Sequence, residues 1–322
     1  MRVGRIFVGL LGFVVLLELV LRLFGYGSYI IYQPDERLLW VPAPEQKGVT
    51  VAGHRNITIN EDGFRYAVTL SRKGKNEIRI FAFGDSVTMG WGVDDELHYS
   101  AALERLLKSS RYPQTYFRVV STGVNAHPNS LVLERFKKVA EDGFQMDIAI
   151  LAYSFNTQFE GLSGLRGIER KRFLRKVAVK GIVRRFALYN FFIEDIFRNF
   201  VYYNLRNRLV QGSWDTTQEG LDVGLVRFTQ GLRETKKFSD VHRIRPILLL
   251  LGSMDQRSAL NSYQKAMVEF AAESKLPLIN MIDVLRSKDH DTLFLDHVHP
   301  NANGHELIAQ ELAKAVIKIS QE

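Results

Sequence analysis

Short apolar segments alternate with helical patterns over most of this chain, and this alternation restricts the fold more than any other feature. Strands are expected at Glu77–Phe83, Tyr116–Ser121, Asp147–Tyr153, Ile247–Leu251 and Leu276–Met281, and helices at Glu96–Ser109, Ser130–Glu141, Gln256–Ser274 and Asn303–Ile319. Near-continuous apolar strands separated by helices are buried on both faces, which predicts a mostly parallel, doubly wound sheet of flavodoxin-like type in a three-layer α/β/α fold. Ligands of such sheets bind at the carboxyl ends of the strands.

The N-terminus carries a separate apolar segment, Ile6–Phe24, preceded by Arg2 and Arg5. As a helix rising ~1.5 Å per residue, its nineteen residues span about one bilayer core. The flanking arginines favour a cytoplasmic N-terminus, which would place the rest of the chain outside the membrane. A cleaved signal peptide is the alternative, but no A-x-A-like cleavage site follows the apolar run, so an uncleaved transmembrane anchor is favoured.

Two charged residues interrupt the apolar segment. Glu18 and Arg22 are four residues apart, so their side chains can pair on one face of the helix. The pair is interpreted either as an interfacial ion pair at the outer end of the helix or as a docking face for another membrane protein.

Three parts of the chain are expected: a membrane anchor at 1–25, a strand-rich lead-in at 26–75 and a catalytic domain at 76–322. In the lead-in, Thr50–Asn60 alternates like a strand or hairpin arm, and Glu61–Gly63 resembles its turn. The catalytic domain carries a helical insertion at about residues 158–240. A non-repetitive sequence with 46% hydrophobic and 24% charged residues is ordinary for a globular protein.

The insertion contains much of the basic charge of a chain whose net charge is +8. Gly164–Phe186 has nine Lys or Arg residues and one acidic residue, Glu169. The segment is interpreted either as a helical cap with a solvated basic face or as a helix that lies on anionic lipid or glycan. No familiar nucleic-acid-binding module accompanies it, so nucleic acid is not an expected partner.

A candidate nucleophile follows the first predicted strand, where Gly84-Asp85-Ser86 begins a glycine-containing turn. Taken alone, this serine is equally consistent with an ordinary helix N-cap or turn residue. A serine hydroxyl is a weak nucleophile and needs an adjacent base. The chain has no cysteine, which excludes a thiol nucleophile, disulfides, thiolate metal sites and a lipoprotein anchor.

A candidate base lies near the C-terminus in Asp296-His297-Val298-His299. His299 would take a proton from Ser86, and Asp296 would fix its tautomer and stabilise its charged form. The pair His297 and His299 also permits a metal site, but no further ligands cluster with them in the sequence. No metal or other cofactor is expected.

Loops after the next two strands offer donors for an oxyanion hole, which acyl transfer requires. Gly123 could present its backbone N–H, and Asn156 could present its side-chain amide. Four strand ends would then each supply one part of a single site.

These blocks together resemble the SGNH/GDSL hydrolase superfamily, and the sequence INEDGFR at 59–65, together with the N-terminal anchor, is similar to its bacterial membrane-anchored envelope type. The resemblance covers about residues 77–157 and 245–320 and implies that Ser86, Asp296 and His299 are catalytic. It also implies oxyanion donors in the Ser86 backbone N–H, Gly123 and Asn156. The usual third block is Gly-x-Asn-Asp, whereas this chain has Ser-Phe-Asn-Thr at 154–157. The elbow G-x-S-x-G, typical of a different hydrolase fold, is absent from the sequence.

The resemblance implies a membrane-anchored extracytoplasmic ester hydrolase that acts on acyl groups of cell-envelope glycans or lipids. The alternatives are an O-acyltransferase, which passes the acyl group to an exported polysaccharide with a membrane-embedded partner, and a non-catalytic envelope scaffold. The expected partners are an acylated glycan or lipid substrate, membrane lipid and a membrane protein contacting the N-terminal helix.

Overall fold

The structure of the chain is a computed structural model that describes residues 2–49, 56–109, 115–154, 161–197, 218–254 and 260–321. Its helices and strands are α1 (Arg2–Leu23), β1 (Tyr32–Asp35), β2 (Leu39–Pro42), β3 (Gln46–Gly48), β4 (Ile57–Ile59), β5 (Glu77–Phe83), α2 (Ser86–Met89), α3 (Tyr99–Lys108), β6 (Tyr116–Ser121), α4 (Asn129–Glu141), β7 (Ile148–Tyr153), α5 (Gly167–Val183), α6 (Ala187–Tyr189), α7 (Gln218–His242), β8 (Arg245–Leu250), α8 (Ser262–Ser274), β9 (Leu278–Asn280), α9 (Met281–Leu285) and α10 (Ala302–Ser320). A π-helix, Asn190–Phe197, follows α6, and a 3₁₀ turn, His290–Thr292, follows α9.

The central sheet has five parallel strands in the order β6-β5-β7-β8-β9. This is the flavodoxin-like order, so the predicted fold class is confirmed. Strands β5 and β6 have the predicted bounds, whereas β8 begins two residues earlier than predicted, at Arg245. The earlier start reflects pairing of the Arg245 N–H with the carbonyl of Asp147, at 2.8 Å.

Side chains on the two faces of the sheet form two separate cores. In β5, Ile80 and Ala82 pack with residues of α3, α9 and α10. Phe81 and Phe83 point to the other face and pack with residues of α4, α7 and α8. This alternation follows from the two-residue period of a strand, and it makes β5 the centre of an α/β/α sandwich.

The lead-in contains two antiparallel pairs, β1 with β2 and β3 with β4. Only the end of the predicted hairpin arm can be compared, because residues 50–55 lie outside the described ranges. A turn follows β4 as predicted, with the Gly63 N–H donating to the Asn60 carbonyl at 3.1 Å and a Gly63 φ of +75°.

The basic segment of the insertion forms helix α5, which packs on β1 and β2. Its buried residue Leu174 lies in a small core with Leu39, Trp40 and Leu131. The helix therefore covers the lead-in on one side and leaves its other side exposed.

Helix α1 contacts this insertion at its outer end. Glu18 and Arg22 form the predicted ion pair, at 2.8 Å. The Glu18 carboxylate also accepts hydrogen bonds from the backbone N–H groups of Ala187 and Leu188, both at 2.9 Å, and Arg22 donates to the carbonyl of Arg185 at 2.6 Å. The pair thus has an intramolecular partner at the start of α6. The part of α1 from Gly4 to Leu23 is long and apolar enough to cross a membrane or to act as a signal sequence.

Candidate active site

Ser86 is the first residue of α2, directly after β5 and a two-residue connection. Asp85 caps this short helix by accepting a hydrogen bond from the Val87 N–H at 2.9 Å. Gly90 ends it with a φ of +71°, a conformation that glycine adopts without strain. The tight turn places the Ser86 hydroxyl at the carboxyl edge of the sheet, where ligands of this fold bind.

Asp296 and His299 lie on the loop that leads into α10. The loop is closed by a hydrogen bond from the Leu295 N–H to the His299 carbonyl, at 2.8 Å. One carboxylate oxygen of Asp296 accepts from the N–H groups of Val298 and His299, both at 2.8 Å. These bonds fix the carboxylate before any contact with the imidazole is made.

The structure brings Ser86, His299 and Asp296 into one hydrogen-bonded chain. His299 Nε2 lies 2.9 Å from Ser86 Oγ, and His299 Nδ1 lies 2.9 Å from Asp296 Oδ2. An ionised carboxylate only accepts hydrogen bonds, so the imidazole carries its proton on Nδ1. Nε2 is then an acceptor directed at the serine hydroxyl, which is the geometry a general base requires.

The electrostatics of Asp296 match this arrangement. Partial burial by itself would raise the pKa of Asp296, but hydrogen bonds and charge interaction with His299 hold it well below its usual range. The carboxylate is therefore ionised at all ordinary pH values and can balance a positive charge on the imidazole.

Gly123, the predicted oxyanion donor, packs directly on α2. A Cβ at this position would lie 2.2 Å from the backbone nitrogen of Met89, closer than any side chain can approach. Glycine is thus required for the loop after β6 to approach the nucleophile's helix. The predicted side-chain donor, Asn156, lies outside the described residues.

The divergent third block has a role at the end of β7. The Ser154 hydroxyl donates a hydrogen bond to Oδ2 of the buried Asp85. Burial raises the pKa of Asp85, and the bonds from Ser154 and the Val87 N–H oppose this effect. Ser154 therefore links β7 to the residue that precedes the nucleophile.

A cleft of about 390 Å³ opens beside Ser86 and His299. Its walls come from the lead-in, through Tyr29, and from α5, through Gly181. Trp91 lines it and stacks on the imidazole of His299. Sequence reasoning missed Trp91, although it lies in the same glycine-rich segment as the serine. Trp91 could have been recognised from the sequence because it lies only five residues after Ser86.

A second residue missed from the sequence is Arg65, in the segment Asn60–Tyr66 of the lead-in. Its buried guanidinium donates to the carbonyls of Met89, Gly90 and Val93, at 2.6 to 2.8 Å, and to Asp95 at 2.9 Å. Arg65 thereby fixes the loop that carries Trp91.

Among the residues that the structure describes, no three His, Asp or Glu side chains cluster as metal ligands. The two ring nitrogens of His299 are both engaged, Nδ1 with Asp296 and Nε2 with Ser86. The carbonyl of His297 accepts from the Met254 N–H at 2.9 Å, which positions the loop.

A serine, an imidazole and a carboxylate in contact at the carboxyl edge of a doubly wound α/β sheet have the geometry that nucleophilic catalysis by serine requires. The model of the GDSL-like Lipase/Acylhydrolase family matches residues 82–307, well over half of the chain. The chain belongs to this family, which confirms the resemblance to the SGNH/GDSL superfamily and identifies it as an ester hydrolase.

Comparison with curated protein sequences gives no match. Among solved structures, the chain is similar to the acetylxylan esterase Axe2 from Geobacillus stearothermophilus, with 15% identity, a TM-score of 0.46, and 76% of this chain and 95% of that chain covered. A member of the lipolytic protein G-D-S-L family from Veillonella parvula gives 12% identity, a TM-score of 0.45 and coverage of 74% and 97%. At these values the two structures carry no information about the substrate.

Proposed function

We propose that this chain is a membrane-anchored, extracytoplasmic serine esterase that acts on acyl groups of cell-envelope glycans or lipids. Ser86 Oγ attacks the acyl carbonyl while His299 Nε2 accepts the hydroxyl proton, and Asp296 stabilises the resulting imidazolium. The backbone N–H of Ser86, the N–H of Gly123 and the amide of Asn156 stabilise the negative oxygen of the tetrahedral intermediate.

Collapse of that intermediate breaks the bond to the alcohol, which leaves with the proton from His299, and gives an acyl-serine. A water molecule then attacks the acyl-serine as His299 takes its proton. Breakage of the ester bond to Ser86 releases the acid and returns the proton to the serine. The observation that carries the proposal is the continuous contact from Asp296 through His299 to Ser86, at 2.9 Å for each of its two links.

The proposed location rests on α1. Gly4–Leu23 has the length and hydropathy of a membrane span, and Arg2 and Arg5 precede most of it. Basic residues on this side favour a cytoplasmic N-terminus and place the catalytic domain outside the membrane.

Polar atoms in the cleft support a substrate with hydroxyl groups. The Tyr29 hydroxyl and Asn125 Oδ1 are buried without a hydrogen-bond partner in the part of the chain described, and both residues line the cleft. Buried polar groups without hydrogen-bond partners are energetically costly. Sugar hydroxyls could bond to both groups, because the Tyr29 hydroxyl can donate or accept and Asn125 Oδ1 can accept. The cleft is therefore suited to the glycan part of an acylated glycan.

The same atoms favour a second candidate, O-acyl transfer to a polysaccharide. A glycan held by Tyr29 and Asn125 beside the acyl-serine could supply the attacking hydroxyl in place of water. His299 has a side chain only 15% exposed and lies under Trp91, which limits the access of bulk water to the base.

Fluorophosphonate labelling of the full chain, beside hydrolysis of a short p-nitrophenyl ester, tests the proposal. Wild type is expected to label at Ser86 and hydrolyse the ester, and Ser86→Ala and His299→Ala are expected to do neither. Ser109→Ala, a helix-end serine on the surface, is the matched control and should behave like wild type. If the protein labels at Ser86 but hydrolyses the ester slowly, and an added oligosaccharide acceptor raises ester turnover, the transferase is favoured. A folded wild type that neither labels nor hydrolyses would instead support the scaffold.

A further inference from the structure

The exposed side of the insertion combines large apolar side chains with positive charge. We define the insertion surface as the exposed side chains of residues 167–197. Its apolar members include Ile182 and Phe197, 60% and 58% exposed. Its exposed charges in α5 are Lys and Arg with one exception, Glu169. Large apolar patches on a protein surface mark sites of contact with other molecules or with membranes.

Periodicity separates the two sides of α5. Val179 and Ile182 are exposed and lie three residues apart in α5, and Phe186 is exposed in the connection between α5 and α6. Val177 and Gly181 lie on the other side of α5 and line the cleft beside Ser86. Exposed apolar side chains next to cations are typical of a segment that lies in the plane of a membrane surface.

Contacts with α1 fix where this surface lies relative to the proposed membrane span. Glu18, which accepts hydrogen bonds from Ala187 and Leu188, precedes the end of α1 at Leu23 by about 7.5 Å at ~1.5 Å per residue. In-plane helices bury their apolar side about 5–10 Å into the membrane boundary. The start of α6 is therefore at the depth expected of an interfacial segment.

Further contacts couple the π-helix to the same end of α1. The Tyr26 hydroxyl donates to Asp195 at 3.1 Å, and the Asn190 amide donates to the Tyr26 carbonyl at 2.5 Å. The Tyr26 ring meets Phe191 edge to face, with ring centroids 5.0 Å apart. The insertion surface and the outer end of α1 are thus continuous.

We infer that the insertion surface binds the outer leaflet of an anionic phospholipid bilayer, with its apolar side chains in the headgroup boundary and its cations on lipid phosphates. The inference rests on the proposed membrane anchoring by α1. The exposed apolar side chains supply burial and the cations supply attraction to negative lipids. Because α5 also forms a wall of the cleft, the cleft lies at the level of the lipid headgroups.

Single-cysteine spin labelling of the full chain in bilayer discs tests the inference, because the cysteine-free chain gives no background labelling. Labels are placed at Phe13→Cys in α1, at Ile182→Cys and Phe197→Cys on the insertion surface, and at Val241→Cys as an exposed control at the end of α7. Accessibility to oxygen, which concentrates in lipid, is compared with accessibility to a water-soluble nickel complex.

The labels at positions 182 and 197 are expected to be oxygen-accessible and several-fold more protected from nickel than the label at 241, in discs of phosphatidylcholine with phosphatidylglycerol. Charge reversal at Lys171 and Arg175 should reduce this protection without changing the accessibility of the label at position 13.

If the label at position 13 is protected but the labels at 182 and 197 match the control, the anchor stands and the inference is wrong. If Phe13 also matches the control, the anchor itself fails. Labels that stay exposed to nickel in the discs and lose mobility only with soluble polygalacturonate would overturn the inference in favour of a glycan-binding surface.

Discussion

The indole ring of Trp91 lies against the imidazole of His299, with ring centroids 4.1 Å apart and 28° between the planes. The contact holds the imidazole between an aromatic ring and the carboxylate of Asp296. An imidazolium formed during attack by Ser86 would be stabilised by the electron-rich face of the indole.

Replacement of Trp91 is expected to slow ester hydrolysis without unfolding the protein. Trp91→Ala should lower kcat roughly 2- to 30-fold, since cation–π contacts are worth ~0.5–2 kcal/mol. Trp91→Phe keeps an aromatic face and should retain most of the activity. Steady-state kinetics of both variants with the p-nitrophenyl ester measure this. Equal losses in both would show that ring stacking is not what matters.

Loss of the Asp296 charge should be far more damaging. Asp296→Asn can donate to Nδ1 and so favours the tautomer that carries its proton on Nε2, which cannot accept from Ser86. A fall in kcat of about 10⁴-fold is expected from this mechanism. Asp291→Asn, in the neighbouring 3₁₀ turn, is the control and should keep wild-type kinetics. A modest loss for Asp296→Asn would remove Asp296 from the proposed triad.

A methyl group at Gly123 should disrupt the contact between the loop after β6 and α2. Because a Cβ there meets the Met89 nitrogen at 2.2 Å, Gly123→Ala must displace one of the two backbones. We expect kcat to fall by roughly 100-fold or more, the effect of losing one oxyanion donor. Gly161→Ala, where nothing lies within 4 Å of the added Cβ, serves as the control. Wild-type kcat in Gly123→Ala would refute the predicted role.

Arg65 is expected to matter for both stability and activity, because it links the lead-in to the loop that carries Trp91. Arg65→Lys cannot satisfy three carbonyls and Asp95 together, and should reduce the free energy of unfolding by roughly 2–4 kcal/mol. Thermal unfolding compares this variant with Arg72→Lys, an exposed substitution nearby. At temperatures where the variant is folded, kcat should still be reduced. An unchanged midpoint would contradict the prediction.

The insertion should show acid sensitivity through Glu194. Burial alone would raise the pKa of Glu194, but Arg184 and Lys180 lower it to about 2, from an ordinary value of 4.5. Because the pKa of Glu194 is lower in the folded than in the unfolded protein, its ionised form stabilises the fold at pH values above the unfolded-state pKa. This contribution of about 3 kcal/mol to the free energy of unfolding is lost as the pH falls from about 5 to 2. Glu194→Gln should therefore flatten the pH dependence of unfolding in this range. Identical pH profiles for the variant and wild type would exclude this role.

The sequence predicted the sheet well because its strands are buried on both faces, which makes their apolar runs distinct. Strands β5 and β6 were placed to the residue, and Ser86, Asp296 and His299 meet as their positions at strand and loop ends suggested. The roles of these residues in catalysis stay predictions.

Residues that act through three-dimensional contact were harder to recognise. Trp91 and Arg65 are each single residues, and neither aromatic stacking nor hydrogen bonds to distant carbonyls leave a periodic pattern. The partner of Glu18 lies 169 residues away, so helical spacing could reveal its pairing with Arg22 but not its contact with Ala187.

The Glu18 carboxylate gives α1 a second role, as part of the insertion's own hydrogen bonding. Proteolytic removal of α1 by a leader peptidase would take away the group that caps α6, leaving the N–H groups of Ala187 and Leu188 without their acceptor, and the Arg185 carbonyl would lose Arg22. A processed form would thus carry a weakened insertion beside an intact sheet. The apolar N-terminus is therefore also a structural element of the folded protein, bonded to the segment that follows α5 beside the cleft.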